Sequence, residues 1–407
     1  MQNNIKKYFF SYKSEIAIAN IWINGGSDFD KKNKKGINHL LCALINRSCN
    51  GFDNFSFSEY INSYGAELNH EVYEDGIFFT LKTIKKFFKR LYPLLINIVE
   101  EPNLNEKDFC ICKNFTINNI NKSKENLFHI VYENWRKIVY INHPYSFNSE
   151  GYINDIKNIT YKDIKEEYKN FQLRKKFLLS NFKVDNMLEL NSIKNYNNNI
   201  LNKYQNIQTA NNTRFVSKFI ESKQIIITLG NQTCSYASKD YLALKILESH
   251  LSFGMSSLLF KIFREKNSLT YDVGIYNPIR KSSAPFLIYI SASIKNSYLA
   301  LKLLLRLWKS LSKIPLTSDE LKLAKIKLNA TLLNSYQTLE EITLRKIQLI
   351  GFGINPLYDQ QLSEMIKKIN SEDIIIASSK YLANPYLSVV GDEKTCKKLE
   401  KTWLKTF

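Results

Sequence analysis

The chain has 407 residues, 44% of them hydrophobic, which is ample for a large buried core and too long for one ordinary domain. Its net charge is +19 and mostly lysine, but no nucleic-acid motif accompanies the charge, so a solvated basic exterior is expected rather than a nucleic-acid or membrane partner. No apolar run reaches the ~18 residues of a membrane span, the start lacks signal- and transit-peptide character, and the six cysteines include no C-x-x-C pair; a cytoplasmic protein with free thiols is the expectation.

In chain order, residues 15–24 read as a strand, and Asn24-Gly25-Gly26-Ser27 ends it in a turn. Apolar residues at 37, 40, 41, 44 and 45 form the stripe of an amphipathic helix. A strand over 76–82 precedes a helix with Phe87, Phe88, Leu91, Leu94, Leu95 and Ile98 on one face, and Pro102 marks its end. Residues 186–215 have the polar composition of a linker.

Beyond it, a strand at 224–229 leads to helices at 239–251 and from Ser257, and then to strands at 271–276 and 286–292. Long helices follow at 296–313 and 317–335, the second opened by the capping box Thr317-Ser-Asp-Glu320.

The halves look like copies of one unit. Ile156-Lys-Asn-Ile159-Thr-Tyr-Lys-Asp163-Ile164 matches Ile366-Lys-Lys-Ile369-Asn-Ser-Glu-Asp373-Ile374 at a constant offset, 366 − 156 = 210 and 373 − 163 = 210. Each opens a helix, with Thr160 or Ser371 as the N-cap candidate, and a short strand then closes the unit at 177–179 or 387–390. The fold class expected is α+β, two homologous domains, each a mainly antiparallel sheet flanked by helices: an N-terminal domain over 1–195, a linker over 196–215 and a C-terminal domain over 216–407.

Three segments of the first half, Asn24-Gly-Gly-Ser27 before Gly36-Ile-Asn-His39-Leu, Ser63-Tyr-Gly65-Ala66-Glu-Leu-Asn69, and Asn142-His143-Pro144-Tyr145 with Gly151, resemble the pitrilysin and mitochondrial processing peptidase family, the H-x-x-E-H zinc peptidases. The resemblance covers nearly the whole chain. It implies the two-domain fold of that family, which LuxS shares. It also implies a helix whose two histidines hold zinc, a glutamate between them that activates water, and a third ligand, glutamate, roughly 75–80 residues later.

Aligned on His39, this chain has Cys42 at the catalytic glutamate, Ala43 at the second histidine and Asn119 at the third ligand, 119 − 39 = 80 residues on. A catalytic zinc takes three protein ligands, so no zinc is expected in this chain. A weaker reading places a thiolate metal site at His39, Cys42 and Cys112.

The second half carries Ser256-Ser257-Leu258-Leu259-Phe260-Lys-Ile-Phe-Arg264-Glu-Lys-Asn-Ser-Leu269-Thr-Tyr271, which resembles the family's C-terminal motif S-x-L-F-x-x-x-R-E-x-x-x-L-x-Y. The resemblance implies that Arg264 holds substrate carbonyls and Tyr271 the oxyanion. With zinc ligands lost and this pair kept, the chain looks like the non-zinc subunit of a heterodimeric peptidase. Its expected partners are a homologous zinc-bearing subunit and extended peptides. A scaffold or peptide-binding protein of the same fold is the alternative.

Overall fold

The computed structural model describes residues 5–49, 51–184, 186–190 and 214–406, so the expected linker 196–215 falls outside the described residues except for 214 and 215. The elements in chain order are β1 (Ile5–Phe9), β2 (Ile16–Asn24), α1 (Ile37–Ile45), α2 (Asn54–Ser63), β3 (Glu67–Val72), β4 (Gly76–Ile84), α3 (Lys85–Glu100), α4 (Glu106–Ser123), α5 (Leu127–Val139), α6 (Ile153–Asn158), α7 (Tyr161–Gln172), β5 (Lys176–Ser180) and β6 (Leu188–Glu189). The second half adds β7 (Phe215–Phe219), β8 (Gln224–Gln232), α8 (Tyr241–Ser252), β9 (Asp272–Tyr276), β10 (Pro285–Ser293), α9 (Ser297–Leu311), α10 (Ser318–Asn334), α11 (Leu339–Phe352), α12 (Tyr358–Lys368), α13 (Ser371–Leu382), β11 (Tyr386–Gly391) and α14 (Glu393–Leu404).

The two sheets repeat one topology. The first runs β3-β4-β2-β5-β1-β6 and the second, read from its other edge, β9-β10-β8-β11-β7. Their central hairpins pair antiparallel, Ile16↔Ile84 to Asn24↔Gly76 and Gln224↔Ser293 to Gln232↔Pro285. Among the described residues, only β1 with β5 and β6, and β7 with β11, are parallel. Corresponding elements sit at nearly one offset: 224 − 16 = 208 for β8 and β2, 285 − 76 = 209 for β10 and β4, 371 − 161 = 210 for α13 and α7. The fold is therefore α+β and duplicated.

The chain divides into two compact units, and each borrows a helix from the other half of the sequence. One comprises Met1–Ser123, Phe147–Ile200 and Ser335–Tyr358; the other comprises Lys124–Ser146, Leu201–Asn334 and Asp359–Phe407. In the first unit α11 packs on β2 and β5. There Trp22 is fully buried and its ring meets Phe352 edge-on at 5.7 Å. A Cβ on Gly351 would stand 2.1 Å from Trp22 Nε1, so only glycine lets α11 lie this close to β2. In the second unit α5 packs on β11 and β8, where Trp135 Nε1 donates to the Tyr386 carbonyl at 3.2 Å and Ser388 Oγ to the Val131 carbonyl at 2.9 Å.

The apolar stripes do what their spacing predicts. On α3, Phe88, Leu91, Leu95 and Ile98 are wholly buried, each contributing about 1.5–3 kcal/mol of hydrophobic stabilisation. The repeated helix starts are real capping boxes, Thr160 with Asp163 and Asn370 with Asp373. In the second copy the cap is Asn370 rather than Ser371, whose hydroxyl instead donates to the Leu316 carbonyl at 2.8 Å. The box at Thr317 and Glu320 forms as expected. No helix among the described residues is long and apolar enough to cross a membrane.

Candidate functional site

The two motif regions lie in different units. In the first unit, α1 starts at Gly36 in the left-handed region (φ 90°), where a Cβ would stand 2.4 Å from the Glu150 carbonyl oxygen. Gly151, with φ 82°, meets the Lys35 carbonyl just as closely, its Cβ position 2.1 Å away. These two motif glycines let two backbones touch and fix how α1 enters.

A residue the sequence reading missed anchors the helix start. Buried Asp30 accepts from Gly36 N at 2.6 Å, Asn38 N at 3.2 Å and Asn38 Nδ2 at 2.7 Å. Its carboxylate thus caps the free N–H groups of the first turn. Burial raises its pKa to about 6 against these stabilising hydrogen bonds. An acid a few residues before a helix-opening glycine was the available signal.

Behind this turn, Arg174 and Glu167 form a buried ion pair at 2.5 Å, and Arg174 Nη1 donates to the Gly25 carbonyl at 3.0 Å. The Asn24–Ser27 turn is thereby tied to α7 and β5.

The positions on α1 have divergent surroundings. His39 is half-buried; burial lowers its pKa, and the Glu150 carboxylate opposes that. His70 on β3 is pushed down to about 4, first by burial and then by the charge of His39. Cys42 is wholly buried and its thiol is pushed far up by burial, with Arg174, Asp30 and Glu167 the charges it feels. Ala43 is half-buried against the core. On α4, which packs on α1, Asn119 is half-buried and its carbonyl accepts from Ser123 Oγ at 3.0 Å.

Cys112 keeps different company, beside the Arg47–Asp108 pair, with its pKa raised by burial to about 11. His39, Cys42 and Cys112 therefore do not converge. A thiol sealed in a core is a small hydrophobe and not a thiolate ligand. Among the described residues, no group of three or more His, Cys, Asp or Glu is arranged to hold a metal ion. The residues present do not fit a zinc site.

The second region is built the opposite way. The sequence predicts an ordinary helix from Ser257; instead Phe260–Glu265 is π-helical, with Lys266 N donating back to the Lys261 carbonyl at 3.0 Å. Such wide turns recur at functional sites. Ser257, Leu259, Phe263 and Leu269 are buried at no more than 4% exposure. Leu269 N donates to the Phe263 carbonyl at 2.8 Å and Ser268 N to the Arg264 carbonyl at 3.1 Å, with Ser268 at φ 49°.

On this anchored turn Arg264 is exposed and Tyr271 is 91% exposed, and the guanidinium carbon lies 5.9 Å from the Tyr271 ring centroid. The spacing of the motif thus separates into buried supports and an adjacent, outward pair of donors. The expected His143-Pro144-Tyr145 segment lies in this unit as well, where Tyr145 Oη accepts from Ser282 N at 3.2 Å.

Comparison with known proteins agrees with the fold. Residues 11–150 match the family described as Insulinase (Peptidase family M16), and residues 158–328 the one described as Peptidase M16 inactive domain. An uncharacterized zinc protease of Rickettsia felis is 23% identical over 399 residues, 94% of this chain and 93% of the relative. Zinc protease PqqE of Helicobacter pylori is 21% identical over 391 residues, 93% of this chain and 88% of the relative.

The structure of a protease from Helicobacter pylori superposes with a TM-score of 0.80 at 17% identity, over 93% of this chain and 95% of that one. A peptidase M16 inactive domain from Pseudomonas fluorescens superposes at 0.82 and 18% identity, over 96% of each. These two structures share the fold.

Proposed function

We propose that this chain, which belongs to peptidase family M16, acts as the non-zinc subunit of a heterodimeric metallopeptidase. The observation that carries the reading is the contrast within one chain: the catalytic-glutamate position of α1 holds a sealed thiol, whereas Arg264 and Tyr271 stand exposed on a rigidly supported turn. In this reading the partner, a homologous subunit, holds the zinc, which supplies an activated water.

This chain contributes the rest. An extended peptide adds to an open sheet edge, such as that of β3, whose outer backbone groups have no strand partner among the described residues. Arg264 donates to peptide carbonyl oxygens, and its planar fork suits two at once. Tyr271 Oη donates to the oxygen on which charge develops. A donor held in place before the reaction strengthens as that charge grows, and each is worth about 3–4 kcal/mol in the transition state.

The test is reconstitution. Tagged chain recovered from its native cells should bring with it a homologue bearing H-x-x-E-H and a glutamate roughly 75–80 residues later. The chain alone should leave a quenched-fluorescent peptide library intact, and the pair should cleave it with sensitivity to chelators. Cleavage by the isolated chain would sink the proposal. Co-purification of partners that lack the zinc motif would do the same, and would favour the scaffold alternative.

A further inference from the structure

Two cavities of the second unit share one arginine. Helix α9 presents a different stripe to each. Leu303, Leu307 and Leu311, with Leu247 and Leu251 of α8 and Ile314, wall an open cavity of 410 Å³. On the next stripe, Lys302 and Lys309, with Lys398 and Lys401 of α14 and Lys405 just past its end, line an adjoining groove of 500 Å³. Arg306 borders both.

Both volumes fall in the roughly 300–1,000 Å³ range of small-molecule sites. The groove's lining contains no acid. Lys302, Arg306, Lys401 and Lys405 are exposed and form no ion pair among the described residues. Lys398 lies 4.9 Å over the Tyr298 ring, and Lys309 Nζ donates to the Thr406 carbonyl at 3.0 Å.

The apolar cavity has polar groups at its edge, His250 and Glu320. The Glu320 carboxylate is already engaged by Thr317 N and Oγ1 at 2.9 and 3.0 Å, and burial lowers the pKa of His250, which favours its neutral form. The cation facing that cavity without a partner is Arg306.

We infer that the two cavities form one site for an anionic amphiphile. An alkyl chain occupies the leucine-walled cavity, and a phosphate or carboxylate head sits on Arg306 facing the lysine groove. The chemistry on each side fixes the orientation. Leucine walls gain by covering an alkyl chain, and unpaired cations gain by meeting an anion at the boundary. Tyr298 already has a lysine over its face, so no ring stands open to stack a base, as single-stranded nucleic acid would need. Leu258 and Ile262 of the 256–271 segment also wall the apolar cavity, but neither Arg264 nor Tyr271 lines either cavity, so the inference does not rest on the peptidase reading.

The test uses the full chain and soluble alkyl phosphates below their micelle concentrations, followed by calorimetry. Decyl phosphate should bind at micromolar concentration. Its affinity should grow roughly tenfold for each two carbons added between hexyl and decyl. Decanol should bind at least tenfold more weakly, and inorganic phosphate should show no heat. R306E should weaken decyl phosphate at least tenfold. L303W, which fills the cavity, should do the same.

Ile314→Asn alters the cavity at a residue 66% exposed, so folding is not at stake, and it should weaken binding several-fold. Vesicles of phosphatidylglycerol in phosphatidylcholine distinguish the source of the head. Capture that L303W and R306E both abolish places the amphiphile in a bilayer, and binding confined to the monomers makes it a free metabolite-sized ligand. The inference is overturned if affinity ignores chain length, if decanol equals decyl phosphate, or if R306E and Ile314→Asn both bind like the parent chain.

Discussion

The start of α1 and the turn at 256–271 are both family motifs, and they stand in opposite relation to solvent. Along α1 the position aligned with the family's catalytic glutamate lies in the core: Cys42 is wholly buried, as are Leu40, Leu41, Leu44 and Ile45. Along 256–271 the buried residues are supports, and the two side chains with chemistry point outward. A lone exposed tyrosine needs no explanation. A tyrosine and an arginine side by side, on a π-helical turn held by four buried anchors, are another matter. On the reading proposed above, packing has taken the place of the first site, while the second turn carries a conformational cost, including Ser268 at φ 49°.

The hardest way to break that comparison is to put a carboxylate at position 42. Cys42→Glu would place a longer, ionisable group where nothing is exposed, where the nearby Arg174 is already ion-paired with Glu167, and where Asp30 adds negative charge. The loss should be about 5 kcal/mol, or failure to fold, as for an uncompensated buried charge. Urea unfolding checks it. A loss under about 1 kcal/mol would mean that α1 still has room for a carboxylate, and the contrast between the regions would fall.

The second test acts on the other region. In the reconstituted heterodimer, Arg264→Ala and Tyr271→Phe should each lower kcat/KM roughly 10²–10³-fold. Because both side chains are exposed, stability should stay within about 0.5 kcal/mol of the parent. Unchanged turnover with the dimer intact would remove the catalytic assignment.

The sequence and the structure agree best where hydrophobic period and capping chemistry act locally. The strand at 16–24, the α3 face, the box at Thr317 and the offset of 210 residues between copies were all readable. What escaped depends on contacts remote in sequence. The exchange of α5 and α11 between units cannot be seen from either helix's own pattern, since an apolar stripe does not specify which sheet it covers. Asp30 was missed because its role needs the chain to fold back over six residues onto Gly36. That His39, Cys42 and Cys112 form no metal-holding group depends on how α1 and α4 pack, and spacing along each helix does not specify that.

The exchanged helices allow a third, smaller test. Gly351→Ala would push a methyl into Trp22, 2.1 Å from Nε1, and should cost about 1–3 kcal/mol as overpacking. Trp135→Phe, on the helix exchanged in the other direction, deletes only the hydrogen bond to the Tyr386 carbonyl and some ring area, about 1–2 kcal/mol. Thermal unfolding ranks the two. The reverse order would show that α5, not α11, is the more tightly fitted.

The smallest effect concerns His70 on β3, which feels the charge of His39 on α1. His70 has its pKa lowered to about 4 by burial and by His39, from an ordinary value of 6.5. A depressed value means that the unfolded chain takes up the proton first as pH falls. Its contribution to stability is therefore complete above about pH 6.5 and lost as pH drops towards 4. The shift sets a ceiling of about 3 kcal/mol, and partial exposure of the ring reduces the expected change to about 1–2 kcal/mol. His70→Gln should flatten the dependence of unfolding free energy on pH in that window by this amount. The remaining slope combines His143, also lowered to about 4 by burial, and the depressed His39 and His250 with Asp30, whose carboxyl, raised to about 6, acts in the opposite direction. An unaltered slope would mean that water reaches His70 freely and that the face of α1 towards β3 is still an open site rather than a packed one.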